Sequence, residues 1–501
     1  MSSFDSVRSL QPPRSLFNLT YEKKFTCDMG QLIPVMCDEV VPGDVFKIGC
    51  QAVVRFQPLV APILHEVTIT THYFFVPYRL LWEDWEKFIT GDEDGTDDSV
   101  LPTWIPTSAT NKVGSLWDYL GFPVGVIPEG AYPLDFPRRA YNLVYNEYYR
   151  DQTLQDEVAI DNQLILNRAW QKDYFTSALP WQQRGPAPAM PIAGVSSAQW
   201  PTGSFYQQNP VVQSGFNTTA DGRLYTGANA TARQNAINFF NSNTIDLSVA
   251  STFDIADLRL AFQIQKWMER NARAGVRYTE FLKAHFGVSP RDDRLDRPEY
   301  IGGSKTPVIF SEVLQTSSTD TTSPQGNLAG HGISVSEAYC GSYNVSEYGL
   351  ILGMCSIMPR PSYQQGINRQ WLRKTRFDFF FPEFQNLSEQ AIENAEILAT
   401  NSESHNAGIF GYQGRFDEMR YKPNMVVGEM RDTFDYWHLG RIFDPAHPPA
   451  LNADFIECKP ADLKRIFAVQ NVPGLIVQFA NLIKAYRPIM IQAEPGLIDH
   501  N

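Results

Sequence analysis

The amino-acid sequence predicts a mainly β protein, a double-sheet jelly roll with long helical and loop insertions. Residues 45–56 and 66–76 near one end of the chain, and 348–358 and 371–381 near the other, have the length and patterning of β-strands. Helical patterns fill the middle. Strands at both ends imply one β-structure whose halves meet across long insertions. A jelly roll allows this because its connections leave at the ends of the sheets.

The first two strands are predicted from alternation, because a period of two places successive side chains on opposite faces. In residues 45–56 one face carries the apolar set Phe46, Ile48, Cys50, Ala52, Val54 and Phe56. In residues 66–76 one face carries Val67, Ile69, Thr71, Tyr73 and Phe75, and Pro77 should end the strand. Each pattern indicates a strand with one buried face.

The later strands are predicted from two different patterns. Residues 348–358 form an apolar run of the length of a buried strand. Residues 371–381 alternate again, with one face made of Trp371, Arg373, Thr375, Phe377, Phe379 and Phe381. We therefore expect both segments to belong to the sheets.

Three helices are predicted between these groups of strands. Residues 139–149 place Ala140, Leu143, Val144 and Tyr148 on one side. Residues 253–273 carry apolar side chains three and four apart, with a possible capping pair, Ser251 and Asp254, and with Gly275 after the end. A third helix, residues 279–286, should end at Gly287.

The sequence divides into four segments. Residues 1–27 are polar and read as an extended arm rather than a packed element. Residues 28–185 and 251–501 should form one domain. Residues 186–250 between them have only four charged side chains and are rich in Gly, Ser, Thr, Asn and Gln. Disorder is one interpretation of that composition, and an ordered external excursion held by its aromatic side chains is the other.

Composition sets limits on function. The net charge is 42 − 55 = −13, so any contact with nucleic acid must be local or delegated to a basic partner. Six cysteines without a CxxC pair are too few for a disulfide scaffold. We expect a soluble chain without a standard secretion signal and without membrane insertion.

The sequence offers no convincing catalytic or metal-binding motif. Its eight histidines are dispersed, and neither HExxH nor GxSxG occurs. Gly302-Gly303-Ser304-Lys305 lacks the leading glycine of a phosphate loop, and the acidic run 92–98 misses the spacing of a calcium loop. We therefore predict a protein that is not an enzyme and that has no cofactor.

Many short strings resemble the major capsid proteins of microviruses of the gokushovirus type. In order along the chain they are VPGDVF at 41–46, THYFFVPYRLLW at 71–82, RRAYN at 138–142, NEYYRD at 146–151, TSALPW at 176–181, IADLR at 255–259, AFQIQ at 261–265, RYTE at 277–280, AHFGV at 284–288, RPEYIGG at 297–303, YQQG at 363–366, FGYQ at 410–413, RYKP at 420–423 and WHL at 437–439. Because the matches span most of the chain in order, the resemblance is more specific than one motif.

The resemblance implies an eight-stranded, two-sheet viral jelly-roll barrel. It also implies a bacteriophage virion in which sixty copies form a T=1 icosahedral capsid around circular single-stranded DNA. Implied partners are a small basic DNA-packaging protein, a pilot or minor capsid protein, and a host surface receptor, for which a carbohydrate is one candidate. Assembly would take place in the bacterial host cytoplasm. Residues 186–250 would form the surface protrusion at the threefold axes.

Two groups of candidate site residues follow. In the arm, Arg8, Arg14, Lys23 and Lys24 are expected to contact DNA or the packaging protein inside the shell, or else to tie neighbouring subunits together. In the protrusion, the candidates are Trp200, Tyr206, Phe216 and Tyr225. They are expected to bind a host receptor or to hold three copies together. The alternative to a capsid protein is a jelly-roll carbohydrate-binding protein or enzyme.

Overall fold

The described part of the chain comprises residues 13–91, 98–186, 217–218, 224–225, 255–275, 277–314, 328–387 and 389–492 of a computed structural model. The chain forms two compact units. One runs from Gln183 to Arg270, and the other is made of the chain on either side of it. Both sheets of the jelly roll belong to the second, larger unit.

The strands of the described residues are β1 (Ser15–Asn18), β2 (Tyr21–Cys27), β3 (Leu32–Val40), β4 (Val45–Phe56), β5 (Val67–Pro77), β6 (Asn217–Thr218), β7 (Leu224–Tyr225), β8 (Glu299–Pro307), β9 (Ile309–Leu314), β10 (Leu328–Asn344), β11 (Gly349–Pro359), β12 (Ser362–Tyr363), β13 (Glu389–Glu393), β14 (Ile409–Gly414), β15 (Asn424–Met425) and β16 (Leu475–Arg487). The helices are α1 (Tyr78–Leu81), α2 (Trp85–Thr90), α3 (Leu116–Tyr119), α4 (Phe136–Val144), α5 (Ile255–Ala274), α6 (Tyr278–Phe286), α7 (Glu403–Asn406), α8 (Asp417–Arg420) and α9 (Ala453–Ile456). A π-helical turn, Tyr145–Tyr149, continues α4.

Two antiparallel sheets form the barrel. In the six-stranded sheet, β1 and β2 both pair with β16, and β4, β10 and β9 follow in order. In the four-stranded sheet the order is β3, β11, β5, β8. The strands β2, β16, β4 and β10 thus oppose β3, β11, β5 and β8, which is an eight-stranded jelly roll. The predicted fold class is confirmed.

Alternating side chains fill the space between the sheets. The predicted inner face of β4 is confirmed, because Phe46, Ile48, Cys50, Ala52, Val54 and Phe56 are all buried. On the neighbouring strand β16, Val477, Phe479 and Ile483 are buried in the same core. A strand with one buried face is what the period of two predicts.

A polar link crosses this apolar core. The Tyr73 hydroxyl on β5 donates to Oδ1 of Asn481 on β16 at 3.1 Å, and the Asn481 amide donates to the Val35 carbonyl on β3 at 3.0 Å. All three residues are fully buried. Because buried polar groups are costly without partners, the amide of Asn481 fixes the position of one sheet over the other.

The outer face of the four-stranded sheet is covered by the insertion that follows β5. All residues of β11 are buried, including those whose side chains point away from the barrel core. There Leu350, Leu352 and Met354 pack with Phe136, Tyr141 and Trp117 in a second apolar cluster. The predicted run at 348–358 is therefore a strand buried on both faces.

A buried carboxylate anchors the helix that provides this cover. Asp135, immediately before α4, accepts hydrogen bonds from Arg138 at 2.6 and 2.7 Å and from Arg139 at 2.8 Å. Arg139 also donates to the Leu81 carbonyl at 2.9 Å. Arg139 therefore fastens the start of α4 to α1, and both arginines compensate the buried charge.

The three predicted helices are confirmed, with shifted ends. The first is α4 followed by its π-helical turn, the second is α5, and the third is α6, which ends at Gly287 with a positive φ of 70°. The capping pair Ser251 and Asp254 lies outside the described residues. Most of residues 186–250 also lie outside them, apart from Pro186, β6 and β7.

Two predictions about secondary structure are wrong. Residues 15–18 and 21–27 are strands paired with β16 and not a free arm. Their polar composition hid this because their pairing partner lies near the other end of the chain. Residues 371–381 are not a strand but include parts of two short 3₁₀ turns, Arg369–Trp371 and Arg376–Asp378.

The link through Asn481 can be tested by substitution. Asn481→Leu should lower the free energy of unfolding of the unassembled subunit by about 2–4 kcal/mol, because the Tyr73 hydroxyl and the Val35 carbonyl lose their partner. Adding Tyr73→Phe should recover part of the loss. Urea titration measures both values. The control Asn344→Leu, at the exposed end of β10, should change stability little, and an equal loss there would contradict the assignment.

Candidate functional site

The structure separates the basic residues that the sequence grouped. Lys24 on β2 is exposed and lies 3.7 Å from Glu22. Lys23 points to the other side, where its amine donates to the carbonyls of Pro34 and Tyr119, and burial lowers its pKa to about 8. Arg14 is exposed just before β1. Arg8 lies outside the described residues.

Contact of these basic residues with DNA stays a prediction. Arg14 and Lys24 are the two described residues whose exposed side chains could make it. The amine of Lys23 is already used within the subunit, so its contribution to an exposed cationic surface is small. Alternation along β2 causes this difference, because neighbouring side chains on a strand face opposite ways.

The four predicted receptor-binding aromatic residues all belong to residues 186–250. Trp200, Tyr206 and Phe216 lie outside the described residues. Tyr225 belongs to β7, which pairs with β6 in a two-stranded hairpin. Host recognition or threefold contact by these residues stays a prediction.

Within the described residues, no group of three or more His, Cys, Asp or Glu side chains could hold a metal ion. A search of the same residues finds no helix with the length and apolar character needed to cross a bilayer. The exposed surface of the larger unit is therefore the candidate functional site.

The most unusual surface feature is an exposed aromatic segment, which we call the aromatic ridge and define as residues 369–387. Trp371 is 75% exposed, and Phe377, Phe379, Phe380 and Phe381 are each between 44% and 53% exposed. Folded monomers rarely expose many neighbouring aromatic side chains, and such a patch usually marks an interaction surface.

The ridge continues onto the chain around α8. Exposed apolar residues of that region are Met419, Tyr421, Met425 and Val427. Lys422 links the two parts, because its amine donates to the side-chain oxygen of Gln370 at 3.3 Å. Together they give one surface with apolar side chains at its centre and charged groups between them.

Arginine side chains hold the exposed rings in place. The guanidinium of Arg373 lies 5.0 Å from the centre of the Phe379 ring, and that of Arg376 lies 4.8 Å from the Phe377 ring. Arg373 also forms an ion pair with buried Glu418 at 3.6 Å. Cation–π contacts and the ion pair order the ridge before any partner binds, which reduces the entropic cost of binding.

A buried carboxylate supports the start of the ridge. Glu396 lies within 3.1 Å of the Arg369 guanidinium and accepts hydrogen bonds from the Tyr174 hydroxyl at 3.0 Å and from the backbone N–H of Glu393 at 2.9 Å. Burial raises the pKa of Glu396 to about 7, in spite of these contacts. The ridge thus rests on a polar network beneath the surface.

This arrangement can bury aromatic area against another protein. The sequence prediction missed the ridge as a surface because it interpreted the alternation of residues 371–381 as a strand. Three successive phenylalanines, Phe379 to Phe381, break that alternation, and Pro382 follows them. These two features were the available signal that the segment is not a regular strand.

The raised pKa of Glu396 gives a testable dependence of stability on pH. Its folded-state value of about 7 lies above the ordinary 4.5, so its contribution is complete below about pH 4.5 and is lost as pH rises through 7. The free energy of unfolding of the wild type should therefore fall by on the order of 3 kcal/mol between pH 5 and 8, and Glu396→Gln should remove this decrease. Urea titrations across this range measure it. The matched change Glu403→Gln on exposed α7 should leave the wild-type pH dependence intact, and the hypothesis fails if both variants behave alike.

Comparison with known proteins gives one consistent result. The chain matches the family described as capsid protein (F protein) over residues 5–497. It is 36% identical to capsid protein VP1 of Bdellovibrio phage phiMH2K, 33% to capsid protein VP1 of Chlamydia phage 1 and 30% to capsid protein VP1 of Spiroplasma virus 4. Each alignment covers 99% of this chain and 97% of the relative.

These matches extend over the whole jelly roll and both of its long insertions. They agree with the resemblance found in the sequence, and the relatives are structural proteins of phage particles. The chain therefore belongs to the F protein family of capsid proteins, the major capsid proteins of microvirus-like phages.

Proposed function

We propose that this chain assembles with identical copies into a closed T=1 icosahedral shell of sixty subunits around a circular single-stranded DNA genome. The proposal rests on membership of the capsid family and on the exposed aromatic ridge. In this proposal the protein acts by forming interfaces and not by catalysis, and its location is the virion after assembly in the bacterial host cytoplasm.

The aromatic ridge is the observation that carries the assembly proposal. A stable interface buries about 800 Å² on each partner and is usually centred on aromatic side chains and arginine. The ridge offers both residue types in one place, already ordered by contacts such as Arg373 with Phe379. In a symmetric shell every copy uses the same surface, so the ridge would recur at each equivalent contact.

Charge determines how the genome would be held. A shell of subunits with a net charge of −13 repels DNA unless cations are concentrated locally. We propose that a small basic packaging protein supplies part of that charge and that exposed cations such as Arg14 and Lys24 supply more. A pilot or minor capsid protein is a further proposed partner.

Residues 186–250 are proposed to form the outward protrusion that attaches to the host cell. Their low charge and their aromatic side chains, among them Trp200, Tyr206, Phe216 and Tyr225, suit contact with neutral sugars or receptor loops. An outward loop has few folding constraints, so it can be long and can vary without disturbing the sheets.

Assembly should depend on the aromatic ridge. The triple variant Phe377→Ser, Phe379→Ser and Phe381→Ser should give soluble subunits with wild-type circular dichroism but fewer than about a tenth as many particles by electron microscopy, because each interface loses its aromatic area. The control Val100→Ser and Val126→Ser changes exposed apolar side chains elsewhere. Normal particle yield from the triple variant would exclude the ridge as an assembly contact.

Attachment should depend on the proposed protrusion. Replacing residues 190–248 by a short Gly-Ser bridge should leave particle formation unchanged but reduce adsorption to host cells to the background of a non-host strain. Counting cell-bound particles by quantitative PCR of the packaged DNA gives the result. If the shortened particles adsorb normally, recognition lies elsewhere on the shell.

A further inference from the structure

The two sheets of the jelly roll differ in what lies on their outer faces. The four-stranded sheet is covered by apolar side chains of the insertion after β5. On the six-stranded sheet, the outward side chains of β4 and β16 stay exposed in the described part of the chain, among them Lys47, Arg55, Gln478 and Lys484. Exposed apolar side chains lie among these polar residues on the same face, namely Leu16, Val335 and Ile476.

Two lysines face each other directly across this sheet. In the pairing of β16 with β4, Lys484 stands opposite Lys47, and both side chains point outward and are exposed. Like charges at directly opposed positions destabilise a sheet. Neither lysine forms an ion pair with a carboxylate among the described residues, and their neighbours across the outer strands are uncharged, Asn18 on β1 and Ser342 on β10.

Exposed tyrosines lie on either side of this pair. Tyr486, two residues beyond Lys484 on β16, is 41% exposed, and Tyr339 on β10, opposite Gly49, is 69% exposed. Gly49 has no side chain, and the half-buried side chain of Leu482, its partner on β16, lies against it. A cationic pair flanked by exposed rings on a flat sheet is the arrangement that holds single strands, with phosphates on the cations and bases stacked on the rings.

The charge of the whole face agrees with this. Among the residues whose exposure the structure describes, its exposed charged groups are the cations Lys24, Lys47, Arg55 and Lys484 and the carboxylates Glu22 and Glu337. Four cations against two carboxylates give a local excess of positive charge on a chain whose net charge is −13. Phosphate backbones are attracted to such local excesses even where the net charge of the protein is unfavourable.

We propose that the outer face of the six-stranded sheet binds single-stranded DNA, with phosphates held between Lys47 and Lys484 and bases stacked on Tyr339 and Tyr486. The inference rests on the proposed genome-enclosing function and adds to it the surface used. It also sets the orientation of the subunit. The six-stranded sheet faces the inside of the shell, and the sheet covered by the insertion faces outward.

The test compares two pairs of charge-neutralising substitutions in the purified full-length chain. The first is Lys47→Gln with Lys484→Gln. The matched control is Lys87→Gln with Lys112→Gln, which removes the same charge from exposed positions in the insertion after β5. Binding of a fluorescein-labelled 20-nucleotide oligo(dT) is measured by anisotropy at several salt concentrations.

The Lys47 and Lys484 variant should bind the oligonucleotide at least about tenfold more weakly than the wild type, and its logarithmic salt dependence should flatten by about 1.4, because two phosphate contacts are lost. The control should keep the wild-type affinity and slope. Tyr339→Leu with Tyr486→Leu should weaken binding and keep the slope, since stacking releases no counterions. Unchanged affinity in the lysine variant, or an equal loss in the control, overturns the proposal.

Particle formation separates this inference from the proposed function. The lysine variant should still form shells in normal number, with a reduced ratio of DNA to protein. Shells with normal DNA content would overturn the DNA-binding surface and leave the shell proposal standing. A wild-type chain that forms no closed shells would overturn the proposed function, whatever the oligonucleotide measurement shows.

Discussion

One strand buried on both faces determines how the rest of the chain is arranged. Every residue of β11 is buried, so the four-stranded sheet needs an apolar cover as well as an apolar core. The insertion after β5 supplies that cover, and Asp135 with its two arginines holds the covering helix in place. Because the insertion is committed to this sheet, the other sheet keeps an exposed outer face. The two sides of the subunit therefore differ strongly in character.

That difference suits a protein that must separate two compartments. One sheet is covered by a folded insertion of apolar side chains. The other sheet has an exposed outer face on which Lys47 and Lys484 stand directly opposite each other. Each surface is made by a different part of the chain, so the two surfaces can change independently. Such independence is useful where partners on the two sides impose unrelated chemical demands.

Sequence patterns correctly predicted the strands in which the order of apolar and polar residues indicates which side chains are buried. The alternation of β4 and the apolar run of β11 were sufficient, because each pattern reports a buried face directly. The strand β2 was missed because its stability comes from pairing with β16, a partner far along the chain. Residues 371–381 were wrongly predicted as a strand because Trp371, Phe377 and Phe379 fall on one face of a period-two pattern, although Leu372 and Phe380 lie on the other. The register of β16 against β4 could not be predicted from the sequence, because Lys47 and Lys484 become neighbours only when the two strands pair.

The central place of β16 has a consequence for synthesis. This strand lies between the first strands and β4, yet it is the last strand of the described chain. A growing polypeptide therefore leaves β2 and one edge of β4 unpaired until β16 has emerged from the ribosome. The barrel cannot close on a truncated product, because the missing strand belongs to its middle. A polypeptide that ends before β16 therefore cannot fold into the barrel, and it lacks the surfaces needed for assembly into a particle.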